Sequence, residues 1–554
     1  MRRPSNDSRA QVSLSISEHY NADDTIDELS SENCVDIDEL LPPSPRDENI
    51  ALDAVITKIG MGKFQRRLLV LCGFGWLADN MWLQCIAAIL PRVQRHFDVP
   101  NTLIGTLSSS IFTGMMFGAL FWGVLSDSRG RKIAYKWTLI IACTFGMGAS
   151  FAPNFWWLCF MLFLLGFGVG GNMPVDGALF LEFVPKENQY LLTFMSVFFS
   201  FGAVLSSFIA WIILPYYSCP EEDSCDPESQ NNGWRYVLFT LGVLTFLMVT
   251  ARLSLFRLQE SPKFLMSNNR KNDAVMVLRS IVKINGSDVY IDPNDLPSTV
   301  NNNDYSSVQR SSDDEAEELS EHEEIRPRSP RRRPPKPTHL TSRISSRFVC
   351  FDLNAIRPLF SPKWCKTTLL VFAIWILISL GYTMFNVFLP KYLEKLGFGE
   401  PPSPDQVYRD YLIYSLAGVP GSIFGSWLIE TPLGRKGTMA LSSFGSAFGL
   451  FLFSTVQSRG TMVFSSAMVS FLATLLYAVI YAYTPEVFET KLRGTASGIS
   501  SALGRVAGIA APITTGILLS WGIIFPLYLS TLLFCLAGVC MVLLPIETRM
   551  RPSK

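Results

Sequence analysis

Three ionisable residues stand inside long apolar stretches of the sequence. They are Asp79, Asp176 and Arg505. A charged side chain in the hydrocarbon core of a membrane is costly, so an ionisable residue within a spanning helix indicates a functional site. A carboxylate in such a place can bind and release a proton, whereas an arginine keeps its charge. The residue types therefore predict proton binding at a carboxylate and anion binding at the arginine.

Asp79 lies near the middle of its apolar stretch and is the candidate for coupling transport to protons. The alternative is a structural role in which it caps a helix or pairs with another group. Arg505 is flanked by Gly504 and Gly508, small residues that leave room for a ligand or for a close helix. Arg505 is a candidate for attracting an anionic substrate, and the alternative is an internal ion pair with a carboxylate of another helix.

Asp176 lies between Pro174 and Gly177, which should interrupt helical hydrogen bonding and expose backbone carbonyls. Interrupted helices line the substrate sites of many transporters, so Asp176 is a candidate for gating or for substrate contact. Other polar and aromatic side chains in the apolar stretches are weaker cavity candidates, because such residues often only hold helices together. These are Asn80, Gln84, Trp375, Tyr382 and Asn386.

A second group of charged residues lies at the ends of the apolar stretches. Asp127 stands close to Arg131 and Lys132, and a carboxylate that faces two cations can hold the cytosolic side of a transporter in one state. Breaking that contact would then accompany opening on this side. The same gate network is predicted to contain further charged residues, which are Glu182, Glu430, Arg435, Glu486 and Arg493.

Membrane-spanning helices must position these residues. Of the 554 residues, 49% are hydrophobic and 17% are charged, a composition too apolar for a soluble domain of this length. A spanning helix needs about 20 mostly apolar residues, and the sequence contains twelve such runs. They lie near 68–90, 102–125, 133–152, 155–181, 191–214, 234–256, 367–390, 411–429, 438–456, 461–484, 495–520 and 523–545.

The twelve runs divide into six and six around a hydrophilic linker. We therefore predict an all-α membrane protein with twelve transmembrane helices in two six-helix pseudo-repeats. The domain boundaries follow from these runs. They are an acidic, largely disordered cytosolic tail at 1–66, a first bundle at 67–256, a partly disordered cytosolic linker at 257–365, a second bundle at 366–545 and a cytosolic tail at 546–554.

An internal repeat relates the two halves. The triplet Gly-Arg-Lys at 130–132 recurs at 434–436, and Glu182 recurs as Glu486 at the same separation. Parallel six-helix repeats are typical of transporters that bind substrate between their halves near the membrane midplane. The repeat therefore places the predicted substrate site between the two bundles.

The distribution of Lys and Arg predicts the orientation of the chain. The loops after the second, eighth and tenth runs are basic, whereas those after the third, fifth and eleventh contain no Lys or Arg. The positive-inside rule then places both termini and the linker in the cytosol. Cys219 and Cys225 fall on the oxidising side, where they can form a local disulfide. We expect the plasma membrane or a vacuolar or endosomal membrane, to which the acidic dileucine pattern at 36–41 would direct the protein.

Several classes of protein are disfavoured. The 47 basic and 47 acidic residues balance, which argues against a nucleic-acid-binding surface. Residues 166–171 match a dinucleotide fingerprint but lie inside an apolar run, so we interpret these glycines as helix-packing residues. The sequence contains no phosphate-binding loop of an ATP-driven pump. We expect no enzyme activity, no cofactor and no metal.

The loop at 123–132 follows the pattern Gly-x-Leu-x-Asp-x-x-Gly-Arg-Lys, and residues 259–265 and 485–494 are similar to sugar-porter signatures. Together these residues resemble the major facilitator superfamily. Residues 62–65 and 166–171 resemble the branch that holds synaptic-vesicle-related proteins, niacin transporters and organic-ion transporters. The resemblance implies the twelve-helix fold, substrate attraction by Arg505 as in organic-anion transporters, and proton coupling at Asp79 as in sugar symporters.

The function predicted from these observations is secondary active transport of a small organic solute by alternating access. The preferred form is proton-coupled symport of an organic anion such as a nicotinate-like carboxylate. One alternative is a sugar or polyol porter, and another is a membrane receptor or nutrient sensor that does not transport. The expected partners are the substrate, protons and the lipid bilayer, and the expected oligomeric state is a monomer.

Overall fold

The computed structural model of the chain describes residues 45–189, 191–219, 226, 230–255, 258–293, 296, 357–396, 402–429, 431–455 and 458–548. Within these ranges the chain is almost entirely helical. Glu430, Cys225, the dileucine pattern at 36–41 and the charged runs of the linker lie outside the described residues.

The first half of the bundle contains six long helices preceded by one short helix. The short helix is α1 (Pro45–Ile59). The long helices are α2 (Lys63–His96), α3 (Asn101–Arg129), α4 (Arg131–Ala149), α5 (Phe155–Phe183), α6 (Leu191–Tyr217) and α7 (Gly233–Thr250). A π-helical turn over Ala251–Leu255 continues α7.

The second half repeats this arrangement after two short helices, α8 (Pro262–Ser267) and α9 (Lys271–Asn285). Its six long helices are α10 (Cys365–Asn386), α12 (Pro404–Leu428), α13 (Gly434–Thr455), α14 (Arg459–Val487), α15 (Thr490–Trp521) and α16 (Ile524–Val542). The short helix α11 (Leu389–Lys395) lies between α10 and α12.

Ten of the described helices are long and apolar enough to cross a membrane on their own. The other two long helices are α4 and α12, which carry charged residues near one end, among them Arg131 in α4 and Asp410 in α12. Both pack inside their half like the other spans. The twelve-helix fold predicted from the apolar runs is therefore confirmed.

The two halves are built from the same helix pairs. In the first half α3 packs on α5, α2 on α6 and α4 on α7. In the second half α12 packs on α14, α10 on α15 and α13 on α16. Contact between the halves is made mainly by α3 with α15 and by α6 with α12. The substrate path of such a fold runs between these two crossing pairs.

The glycines that imitate a dinucleotide fingerprint serve helix packing. Gly166 and Gly170 in α5 lie directly against the backbone carbonyls of Ile111 and Met115 in α3. A Cβ atom at either glycine would overlap those carbonyl oxygens. The close approach of α3 and α5 therefore depends on small residues, as is common in membrane helices.

Helix α1 lies within the tail that the sequence predicts to be largely disordered, and it docks onto the first half. Its apolar side chains Leu52, Val55, Ile56 and Ile59 are buried in one cluster with residues of α8 and α9. This burial accounts for the order of α1, because a short helix is marginal without tertiary contacts.

One carboxylate joins α1 to two other segments. Asp53 pairs with Lys263 in α8 at 2.7 Å and with Lys186, which follows α5, at 3.1 Å. Burial opposes ionisation of the Asp53 carboxyl, but Lys263 and Lys186 outweigh it and hold its pKa below the usual value. A carboxyl with a lowered pKa stabilises the docked form above its unfolded pKa, and this contribution is lost as the pH falls through the folded pKa.

We expect Asp53→Asn to increase the amide hydrogen exchange of α1 at neutral pH, because the neutral amide cannot pair with Lys263 and Lys186. Exchange in the unmodified chain, after correction for the intrinsic effect of pH, should rise on acidification through the pKa of Asp53. The variant should lack that rise. Asp273→Asn is the matched control, because it removes an exposed ion pair between Asp273 in α9 and Arg270 just before that helix. Equal exchange of α1 in all three proteins would contradict the role of Asp53.

Candidate functional site

The two halves are joined at one end of the bundle. We call the end at Arg131 and Arg435 the basic end, and the end at Arg92 the opposite end. Several polar contacts cross between the halves from mid-depth to the opposite end. They include Arg92–Glu394 (2.8 Å), Gln84–Asn386 (2.9 Å), Lys391–Asn101 (2.7 Å), Ser207–Ser415 (2.6 Å) and Ser109–Ile509 (2.8 Å). Between described residues, no hydrogen bond or ion pair joins the halves at the basic end.

A polar cluster is buried within the first half. Asp79 in α2, Asp176 in α5 and Arg252 in the π-helical turn after α7 are all almost completely inaccessible. Arg252 pairs with Asp176 at 2.5 Å and donates to the backbone carbonyls of Leu71 and Tyr135 at 3.2 and 2.9 Å. Its guanidinium also lies 4.2 Å from the centre of the Tyr135 ring. The Asp176 charge is therefore balanced by a fixed counter-ion.

Asp79 has a different environment from Asp176. Its Oδ1 accepts a hydrogen bond of 2.7 Å from the Asn172 side chain. Among the described residues, no Lys or Arg lies within ion-pair distance of this carboxylate. Asp79 is thus the carboxylate of the cluster that can take up a proton without breaking an ion pair.

Arg505 approaches the same region from the second half. Its Nη1 donates to the Met115 carbonyl of α3 at 2.7 Å, near the middle of both helices. The Arg505 guanidinium lies within electrostatic range of Asp79 and of Tyr481. Within the described part of the chain it forms no ion pair. Arg505 is therefore a cation near Asp79 without a fixed carboxylate partner.

An aromatic wall lies beside Arg505. The Trp375 ring packs against Gly504, and its Nε1 donates to Thr484 at 3.0 Å. Trp375 and Tyr481 meet edge to face with ring centres 4.8 Å apart. Tyr382 packs on Tyr477 with ring centres 5.4 Å apart. These flat apolar faces next to a cation suit a ligand that combines an apolar body with a negative charge.

The predicted polar cavity residues take part in helix contacts. Asn80 donates to the Phe199 carbonyl at 2.8 Å and ties α2 to α6. Gln84 accepts from Asn386 across the two halves at 2.9 Å, and Tyr414 donates to the Asn386 side chain at 2.8 Å. Gln84 and Asn386 thus join the two halves in this structure.

The charged network at the basic end lies within the first half. Arg131 pairs with Asp127 at 2.5 Å and with Glu182 at 3.0 Å. The backbone amides of Arg131 and Lys132, at the start of α4, donate to Glu260 at 2.8 and 3.3 Å. The Asp127–Arg131 pair is therefore intact in this structure, and the described bonds of this network join the ends of helices within the first half.

The second half repeats this network. Arg435 pairs with Glu486 at 3.0 Å, and the backbone amides of Arg435 and Lys436 donate to Glu547, both at 3.0 Å. Glu547 therefore caps the N-terminus of α13 by accepting hydrogen bonds from its first backbone amides, as Glu260 does for α4. Arg493 has a buried Nε atom without a partner among the described residues.

Two buried arginines were not predicted from the sequence. Arg252 stands at the end of the sixth apolar run and Arg92 just after the first, positions at which an arginine normally belongs to a loop. Both are almost fully buried. Cys219 is disulfide-bonded, and its carbonyl accepts a hydrogen bond from Arg92.

We expect Arg252→Gln to lower the melting temperature of the purified protein strongly, because it leaves Asp176 buried without its counter-ion. Breaking one partner of a buried pair costs about 3–5 kcal/mol. Adding Asp176→Asn to this variant should recover most of the loss, since no charge is then left unpaired. Differential scanning fluorimetry tests this, and a double variant no more stable than Arg252→Gln would contradict the pairing.

We also expect Gly75→Ala to destabilise the protein by about 1–3 kcal/mol, as overpacking of a well-packed site does. Its Cβ atom would collide with the Asp176 carboxylate and the Arg252 guanidinium. Gly123→Ala is the matched control, because nothing lies within 4 Å of a Cβ atom at that helical position. Thermal melting of both variants is the measurement, and an equal effect of the two would show that Gly75 is not held by this cluster.

Comparisons with known proteins agree with this architecture. The family model of the Major Facilitator Superfamily matches residues 69–411 and 411–554. The chain is 36% identical over 508 residues to the MFS siderochrome iron transporter 1 of Ceriporiopsis subvermispora, covering 90% of each chain. It is 26% identical to the niacin transporter NiaP of Acinetobacter baylyi, covering 83% of this chain and 88% of the relative.

Solved structures support the fold. The inward-open xylose transporter of E. coli superposes with a TM-score of 0.62 at 16% identity, covering 88% of this chain and 98% of the other. At this identity the likeness concerns the fold alone. Together with the family match, it identifies the chain as a member of the major facilitator superfamily, a family of membrane transporters rather than enzymes.

Proposed function

We propose that this transporter couples the movement of a proton to that of a small organic anion, with Asp79 as the proton site and Arg505 as the anion site. One observation carries the proposal. A carboxylate without a cation at ion-pair distance and an arginine without a carboxylate partner approach the same region from the two halves. The other buried charges of this region, Asp176 and Arg252, neutralise each other.

Charge balance then explains obligatory coupling. In the proposed cycle, Asp79 is ionised in the empty site and its charge balances that of Arg505, so that the region then carries no net charge. When an anion binds Arg505, a proton on Asp79 restores the balance. An anion alone or a proton alone would leave a net charge buried in the membrane, which is costly. Only the empty and the doubly loaded site can therefore change sides easily, and this is electroneutral symport.

The aromatic wall supports an organic anion with a flat apolar body. Trp375 and Tyr481 stand beside Arg505, so a ring could stack on them while its carboxylate pairs with the guanidinium. The niacin transporter among the relatives is named for a compound of this kind, a pyridine carboxylate. A nicotinate-like acid is accordingly the first substrate class to test.

The orientation is part of the proposal. The loops rich in Lys and Arg lie at the basic end, which the positive-inside rule assigns to the cytosol. The described contacts close the opposite end. On this assignment the conformation faces inward, with both termini in the cytosol.

Uptake into proteoliposomes tests the function. We expect an inward proton gradient to drive labelled nicotinate uptake, with no dependence on membrane potential. Arg505→Ala should reduce uptake at least about tenfold, because a hydrogen bond to a charged group contributes about 1.5–3 kcal/mol. Asp79→Asn should abolish gradient-driven accumulation while it retains exchange of the acid. Arg270→Gln, at an exposed pair outside the site, is the control.

Other outcomes would contradict the proposal. Sugar uptake that is unaffected by Arg505→Ala would favour the sugar or polyol porter. Absence of all transport by well-folded protein would favour the receptor or sensor. Gradient-driven accumulation that survives in Asp79→Asn would exclude Asp79 as the proton site.

A further inference from the structure

Arg92 occupies a position at the opposite end that the proposed transport chemistry does not use. It lies near the end of α2, just after Pro91, and is 1% exposed. Its Nε donates to the Tyr408 hydroxyl at 3.0 Å, Nη1 to the Cys219 carbonyl at 2.7 Å and Nη2 to Glu394 at 2.8 Å. One buried guanidinium thus binds three different segments.

These partners come from both halves of the protein. Arg92 belongs to the first half, as does Cys219 at the end of α6, whereas Glu394 lies in α11 and Tyr408 in α12 of the second half. The Asn231 side chain donates to the Arg92 carbonyl at 2.8 Å and fixes the backbone at this point. Arg92 is therefore held rigidly on its own side, and its cross-half bonds are the ones that domain movement must break.

The energetics of this contact depend on its burial. The side chains of Arg92 and Glu394 are only 2% and 11% exposed. An exposed ion pair contributes about 0–1 kcal/mol, whereas removing one partner of a buried pair is strongly destabilising. When the opposite end opens, water enters and hydrates both groups. Removal of the Glu394 charge by substitution would therefore raise the free energy of the closed form, in which Arg92 is buried, and leave that of the open form almost unchanged.

We propose that Arg92, Glu394 and Tyr408 form a latch that holds the opposite end closed, and that its strength sets the balance between the two transport states. A group that stabilises one of two conformations shifts their populations by that difference in free energy. The latch rests only on the family's alternation between two states, and it holds whether or not the proposed substrate and proton sites are right.

A native cysteine reports on this balance. Cys85 in α2 is completely buried and directly follows Gln84, whose carbonyl accepts a hydrogen bond of 3.3 Å from the Tyr411 hydroxyl of α12 across the junction of the halves. A bulky, charged thiol reagent should reach Cys85 only when the opposite end opens. The experiment uses full-length protein in lipid nanodiscs, and mass spectrometry of the Cys85 peptide gives its rate of modification without interference from other cysteines.

We expect Glu394→Gln to raise the rate of Cys85 modification about tenfold, a factor equivalent to about 1.4 kcal/mol. Tyr408→Phe, which removes only the hydroxyl that accepts from Arg92, should raise it by a smaller factor. Both substitutions preserve side-chain size, so the fold should persist, and thermal melting checks this. Glu489→Gln breaks the exposed Lys363–Glu489 pair within the second half and should leave the rate unchanged.

Two results would overturn the latch. One is an unchanged rate in both Glu394→Gln and Tyr408→Phe, which would mean that these bonds do not favour the closed form. The other is an equal rise in Glu489→Gln, which would mean that loss of any ion pair loosens the protein. The readout needs no substrate, so failure of nicotinate uptake leaves the test of the latch intact.

Discussion

Buried charges have to be balanced in a bundle of apolar helices, and the rest of this structure is arranged around that requirement. Arg252 and Asp176 satisfy it within the first half by direct pairing. Arg92 satisfies it with Glu394 of the other half, so its balance holds only while the two halves touch. Asp79 and Arg505 interact without a direct ion pair between them. The first arrangement lies within one half, the second joins the two halves, and in the third neither charge has an ion-pair partner among the described residues.

The repeated networks at the basic end have a different role. Glu260 and Glu547 each cap the helix that begins at a Gly-Arg-Lys triplet, and each network joins helices of one half only. Gly130 and Gly434 adopt positive φ angles of 101° and 66°, which let the chain turn sharply into α4 and α13. Each half is thereby stiffened at this end, so movement between states is concentrated at the contacts that cross the halves.

The sequence allowed the spans and the repeat to be predicted because both are local patterns. Twelve apolar runs give twelve helices, and the Gly-Arg-Lys triplets mark equivalent turns. Charged partners could not be predicted in the same way. Arg252 pairs with Asp176 across 76 positions of sequence, and Glu394 lies 302 positions from Arg92. Such pairs depend on how the helices pack, and a single sequence carries no periodic signal for them.

The candidate site was predicted in part for the same reason. Asp79 and Arg505 could be recognised because a charge within an apolar run is conspicuous, but the sequence does not tell which buried carboxylate has a counter-ion. Asn80, Gln84 and Asn386 were equally conspicuous, yet in this structure they bind other helices. The ion pairs of α1 were also hidden, because Asp53 pairs with Lys186 and Lys263, which lie far along the chain.

Charge balance and the latch act on different parts of the transport cycle. In the proposed cycle the central charges decide which loaded forms can cross, because a net charge raises the energy of the occluded form whichever end is closed. The Arg92–Glu394 contact exists only when the opposite end is closed, so it biases the two open forms against each other without favouring any ligand. A neutral site without the latch would alternate with no preferred resting state. A latch without a neutral site would fix a resting state but would not couple the proton to the anion. Both features are therefore needed for a transporter that rests in one conformation and changes conformation only when it is empty or has bound both proton and anion.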